Sequence, residues 1–214
     1  TTPWTLPSNY LSAINKNMTY TTIPYCNKET NKKELLIVVQ EKVMEIRELL
    51  KLGNGLISIH GLRGEELIGL KYKPFFTFNN LHNDYRVVHA DYVSNTSGTG
   101  IVHICASHGE EDYKTCLENG FITKESKLFM TLDVNGFVNN NIPDLKGMFY
   151  KNYVKDKKDK EGLKEDLNTW VIRRLKENNQ FLLKKTIKHE YPFCWRSDTP
   201  LIYKAVSSHF VKVE

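Results

Sequence analysis

Glycines punctuate residues 98–120 in a way that leaves the backbone few choices. Gly98-Thr99-Gly100 reads as a turn, Gly100 to Ala106 as a strand, and Ser107 to Gly120 as a helix. Ser107 or His108 is placed to cap that helix, and Gly120 to stop it. Glu110, Glu111 and Asp112 crowd its first turn, where the positive end of the helix dipole favours carboxylates. Cys116 shares a helix face with Tyr113 and Leu117, which points to burial.

The remaining pattern is mixed α and β. Leu35 to Gln40 is a continuous apolar run that reads as a buried strand, and Glu41 to Leu52 carries Val43, Ile46, Leu49 and Leu50 at helical spacing. Leu56 to His60 and Tyr85 to Val93 are further strand candidates, and Asn135-Gly136 between Leu128–Asp133 and Phe137-Val138 signals a hairpin. Residues 151–164 are polar and lysine-rich, with acids offsetting the lysines, as in a solvated connection. Leu163, Leu167, Trp170, Val171 and Leu175 then form a helical core stripe. Many short strands with few helices predict a mixed α/β fold with a β-barrel core decorated by helices. No boundary divides residues 1–214, which read as a single domain with 190–214 as its return segment.

Composition narrows the chemistry. The 214 residues carry a formal charge of +5, which suits a polyanionic partner without requiring one. No apolar run is long enough to cross a bilayer, so no membrane partner is expected. Four cysteines are scattered without a Cys-x-x-Cys pair, and a reducing compartment follows as the default. After Cys194, Ser197 stands where a second zinc thiolate would be needed. His103 and His108 are not at His-Glu-x-x-His spacing, so no metal is expected.

A second segment, Thr1-Thr2-Pro3-Trp4-Thr5-Leu6-Pro7-Ser8-Asn9, is dense in hydroxyls and prolines. Alone it would read as an extended edge. Taken with Gly98–His103 and Asp112, it resembles the editing domain that class I aminoacyl-tRNA synthetases for isoleucine, valine and leucine insert into their catalytic fold. Relatives specific for leucine and valine carry Thr-Thr-Arg-Pro-Glu-Thr in this strip, so the resemblance is to the isoleucine enzymes, in their eukaryotic cytoplasmic form. Gly64–Pro74 resembles that family's connecting segment, and Tyr191–Tyr203 its return path to the synthetic core. One departure is local: the family's Ala-Pro-aromatic-Gly is here Ala106-Ser107-His108-Gly109, and losing the proline could relax the turn that aims Asp112. Another, His209 in place of a tryptophan, lies away from the site.

The resemblance implies hydrolysis of the ester in mischarged Val-tRNA(Ile), with Asp112 and Thr2 as catalytic residues. Asp112 would hold the substrate α-ammonium, and Thr2 and Thr1 would border the amino acid and place the attacking water. His103 would shape which side chains fit, Asn9 would support the strip or the terminal adenosine, and Trp4 and Thr99 would complete the substrate-binding set. The implied partners are the 3′ end of tRNA(Ile) and the remainder of the synthetase in cis, in a cytoplasmic monomer. His-x-Gly-His and Lys-Met-Ser-Lys-Ser are absent, so ATP and magnesium are expected only in a synthetic domain outside this chain, and no cofactor within it. A metallohydrolase and a non-catalytic tRNA-docking module are the competing readings; decay to the latter should have cost Asp112 or the threonine strip.

Overall fold

The computed structural model describes residues 2–27, 29–53, 61–80, 84–152, 164–186, 190–208 and 211. The chain opens in a short 3₁₀ helix, Pro3–Ser8, with proline at its first position, where no donor is lost. Strand β1 (Leu11–Ile14) follows and runs through the middle of a three-stranded sheet. It pairs parallel with β5 (Val87–His89) and antiparallel with β6 (Val102–Ile104). The register sets Ser12 opposite His103 and Leu11 opposite Ile104.

A second three-stranded sheet has β2 (Thr19–Cys26) at its centre, flanked by β3 (Lys33–Val39) and β4 (Leu62–Arg63). Helix α1 (Val43–Leu49) follows β3 and buries Val43 and Ile46 with Ile23 and Val38. Helix α2 (Gly64–Leu67) follows β4 directly, with Leu67 packed beside Ile14, Tyr20 and Val39. Tyr20 ties the two sheets together. Its hydroxyl donates to the Gly100 carbonyl at 2.8 Å and accepts from the Asn15 amide at 3.0 Å.

The mixed α/β expectation holds, with two corrections. Among the described residues the strands form two open three-stranded sheets and no closed barrel. β4, β5 and β6 span only two or three residues each, too few to carry a ladder around a closed circuit. A second correction concerns β3. It was expected to be buried, but it lies at a sheet edge, and Leu35 is 65% exposed while only Val38 and Val39 are sealed. The strand expected at 56–60 and most of the polar stretch at 151–164 lie outside the described residues.

The largest core cluster gathers Leu11, Ala13, Val88, Ile104 and Cys116 with Leu167 and Val171 of α4 (Leu167–Glu177). Asp166 caps α4 by accepting from the Thr169 amide at 2.7 Å, and α4 packs against the Pro3–Ser8 helix. The Asn135-Gly136 turn forms as expected. Gly136 has φ +83°, and the Asp133 amide bonds to the Phe137 carbonyl at 2.8 Å. Among the described residues no helix is long and apolar enough to cross a membrane.

Candidate functional site

The turn between β6 and α3 (Glu110–Glu118) positions the acidic residue singled out by the sequence. Strand β6 ends at Ile104, and the next amide, on Cys105, donates to Asp112 Oδ2 at 2.8 Å. Tyr92 donates its hydroxyl to Asp112 Oδ1 at 3.1 Å. Both carboxylate oxygens are therefore oriented, and each keeps acceptor capacity for a ligand donor. Burial raises the Asp112 pKa, an effect countered by the Cys105 and Tyr92 hydrogen bonds.

The helix cap differs from expectation. Gly109, in extended conformation, occupies the N-cap position, and neither Ser107 nor His108 caps with its side chain. A Cβ on Gly109 would stand 2.9 Å from Asp112 Cγ, so the absence of a side chain makes room for the carboxylate. His108 is used elsewhere. Its Nδ1–H donates to the Tyr203 carbonyl at 3.1 Å, which leaves Nε2 to accept from Thr131 Oγ1 at 3.2 Å. Thr131 Oγ1 in turn accepts from Ser8 Oγ at 3.1 Å. The Ala205 amide adds a bond to the Ser107 carbonyl at 3.0 Å. This network holds the turn without the proline that the resembling family carries there. Burial depresses the His108 pKa to about 4, so the ring is neutral near pH 7.

Around His103 a second network forms. Asn9 donates from Nδ2 to the Leu11 carbonyl at 3.1 Å and to His103 Nδ1 at 2.6 Å, while its Oδ1 accepts from Tyr72 at 2.6 Å. Asn79 holds the Asn9 carbonyl at 3.1 Å. His103 Nε2 is shut off from solvent and makes no hydrogen bond. An unsatisfied buried donor or acceptor typically costs about 1–3 kcal/mol. Burial lowers the His103 pKa to about 3, with the Thr5 main chain opposing that shift.

The other expected site residues fall in different places. Thr2 is exposed, and its carbonyl accepts from Thr5 Oγ1 at 2.8 Å and from the Thr5 amide at 3.2 Å. Trp4 is only 6% exposed and packs edge-on against His108 and Tyr150, with ring centroids 4.9 and 5.2 Å away. Thr99 lies at the far end of β6, where its carbonyl accepts from the Val39 amide at 2.8 Å. The following Gly100 has φ +75°, and a Cβ there would approach the Val39 Cβ to 2.5 Å. Thr1 lies outside the described residues. Asn9 and His103 are in direct contact, whereas no hydrogen bond among the described residues links Thr99 or Trp4 to either. Tyr72 and Tyr92, which sequence reasoning passed over, are the side chains that orient Asn9 and Asp112.

A cavity of about 820 Å³ borders Gly109 and is lined by Glu110, Tyr113, Lys124, Lys127 and Tyr203 among others. Thr2, His103 and Asp112 do not line it. Among the described residues no cluster of three or more His, Cys, Asp or Glu side chains could hold a metal ion.

No protein-family model matches the chain. A solved structure described as "The crystal structure of GlLeuRS-CP1" aligns with a TM-score of 0.48 at 18% identity, covering 64% of this chain and 54% of that one. Sequence similarity is much stronger. The cytoplasmic isoleucine–tRNA ligase of Caenorhabditis elegans is 35% identical over 218 residues, covering all of this chain and 17% of that protein. The cytoplasmic isoleucine–tRNA ligase of Saccharomyces cerevisiae is 35% identical over 217 residues, covering all of this chain and 18% of that protein. The isoleucine–tRNA ligase of Bdellovibrio bacteriovorus is 36% identical over 222 residues, again covering all of this chain and 18% of the relative. The chain thus spans less than a fifth of the length of these relatives, and its full-length similarity to them places it, as a segment, in the isoleucyl-tRNA synthetase family.

Proposed function

We propose that this chain is a post-transfer editing module, a deacylase that hydrolyses the ester of mischarged Val-tRNA(Ile) to valine and free tRNA. The observation that carries the reading is the Asp112 carboxylate. It is half-buried, oriented through both oxygens, and set in the first turn of a helix. Such a group suits a substrate ammonium, because a fixed anion in a partly desolvated place attracts a cation more strongly than one in water. Full-length similarity to isoleucine–tRNA ligases supports the choice of substrate.

An apolar pocket distinguishes a missing methylene by only about 1–3 kcal/mol, a limit known for these enzymes, and a second hydrolytic site removes what the first admits. An aminoacyl ester is already labile, so positioning of water and of the carbonyl suffices without a strong base. In this proposal Asp112 binds the α-ammonium, and Thr2 and Thr1 border the ester and place water. His103 and Asn9 face the amino acid and the terminal ribose, with Trp4 and Thr99 shaping the site from behind. The module works without a cofactor on the 3′ end of tRNA(Ile), in the cytoplasm, as a monomer joined in cis to the remainder of a synthetase.

The test is release of valine from Val-tRNA(Ile) by the wild-type protein and by Asp112→Ala. A large loss in the variant is expected. Equal rates would reject the role of Asp112. Should the chain be inactive alone, the same pair is compared within an intact synthetase, and inactivity there rejects the deacylase reading.

A further inference from the structure

The orientation of Asn9 is dictated by its surroundings. The Leu11 carbonyl can only accept, so the Asn9 atom facing it at 3.1 Å is the amide nitrogen. The Asn9 oxygen then faces Tyr72, whose hydroxyl must donate to it at 2.6 Å. The same amide nitrogen stands 2.6 Å from His103 Nδ1. An amide nitrogen has no lone pair to offer, so Nδ1 must accept, and the ring proton resides on Nε2. Nε2 is closed off from solvent and has no hydrogen bond of normal geometry, with the Thr5 main chain as the only other polar group acting on the ring among the described residues. Ser12, opposite His103 in the sheet, also lies near the Tyr72 hydroxyl.

We propose that Tyr72 is a positioning residue of the site: together with the Leu11 carbonyl it holds Asn9 so that His103 keeps its proton on Nε2, and the imidazole offers a donor, and not an acceptor, to an oxygen of the bound aminoacyl ester. This rests on the deacylase reading for its ligand, but the placement of the proton rests on the hydrogen bonds alone. The relay runs in one direction, from the Tyr72 hydroxyl to the Asn9 oxygen and from the Asn9 amide to His103. Burial keeps the ring neutral, so the donor persists across the physiological pH range. A ring with the opposite tautomer would turn a lone pair toward the ester oxygen and repel it.

Long-range ¹H–¹⁵N correlation spectra of histidine-labelled protein read the tautomer directly, and His103→Gln identifies the signal among the seven histidines. The wild type is expected to show an Nε2–H tautomer with unprotonated Nδ1 between pH 5 and 8. Asn9→Asp replaces the amide donor by an acceptor and should move the proton to Nδ1. Tyr72→Phe should give a mixed population and lower kcat for Val-tRNA(Ile) deacylation by about tenfold, with KM little changed. Adenosine bearing valine through an amide in place of the ester is the ligand probe, and it should shift the His103 Nε2 resonance.

A wild-type proton on Nδ1, or a Tyr72→Phe protein unchanged in both tautomer and rate, overturns the proposal. A probe that binds without moving the Nε2 resonance overturns donation to the ligand. If the tautomer is as stated but neither the chain nor the intact synthetase deacylates, the ester-facing role falls together with the deacylase reading, and the proton relay alone stands.

Discussion

Gly109 and Asp112 are fitted to one another: a Cβ on Gly109 would lie 2.9 Å from Asp112 Oδ2. Gly109 has φ −151°, a conformation open to any residue, so backbone strain does not exclude a side chain there. The carboxylate does. Gly109→Ala should therefore fold normally and push Asp112 off its Cys105 and Tyr92 donors. Small misplacements of a reacting group cost up to about 100-fold in rate. A drop in deacylation of at least tenfold with a nearly unchanged melting temperature is expected, and wild-type activity would show that the fit is irrelevant to function.

Tyr92→Phe removes one of the two donors that oppose the burial-driven rise of the Asp112 pKa. Asp112 acts ionised in the proposed reaction, so activity falls as pH drops through its pKa. Without Tyr92 that fall moves to higher pH. Profiles of kcat/KM against pH for the two proteins measure the displacement. A shift to lower pH, or none, contradicts the assignment.

Acid should destabilise the fold through its buried histidines. His108 is held down to about 4 and His103 to about 3, both below the unfolded value of 6.5. The stabilisation is fully present above pH 6.5 and is lost as pH falls toward the folded values, because the unfolded chain then binds protons that the folded one refuses. For His108 alone the loss is on the order of 3 kcal/mol by pH 4. Asp112 acts in the opposite sense: its raised pKa favours the folded state at low pH, and that gain is lost as pH rises through the folded value. Denaturation midpoints between pH 7 and 4 should fall in the wild type and fall less steeply in His108→Gln.

Trp4→Ala should act on stability before it acts on chemistry. The indole is buried between His108 and Tyr150, and truncating such a side chain costs about 3–5 kcal/mol. Thermal melting should drop sharply. A protein of wild-type stability that has lost only deacylation would instead show a direct role in binding substrate.

The helix bearing Asp112 was legible because its signals are local: three acids in the first turn and Gly120 at φ +71° after the last. Its cap was misread because Ser107 and His108 have the right chemistry for a cap, but the Ser107 hydroxyl lies against Cys105 Sγ and the His108 ring is held by Tyr203 and Thr131. The apolar run at Leu35 looked buried because hydrophobicity alone does not say which strand will end at an edge. Asn9 and His103 were singled out by resemblance, but their contact with one another and that of Asn9 with Tyr72 could not be read from spacing. Tyr72 sits 63 residues from Asn9, and Tyr92 sits 20 from Asp112, and a lone tyrosine does not announce a partner at such a distance.

Ser8, Thr131, His108 and Tyr203 form a single clasp, and it draws together two stretches that are almost the whole chain apart. Everything between them is a loop with a sewn base. A pull or twist applied to the chain at Tyr203 is delivered to His108, and one residue on to Gly109, which faces Asp112. The carboxylate is thus wired to the neck of the loop, so whatever this segment is joined to has a mechanical handle on the group proposed to grip the substrate.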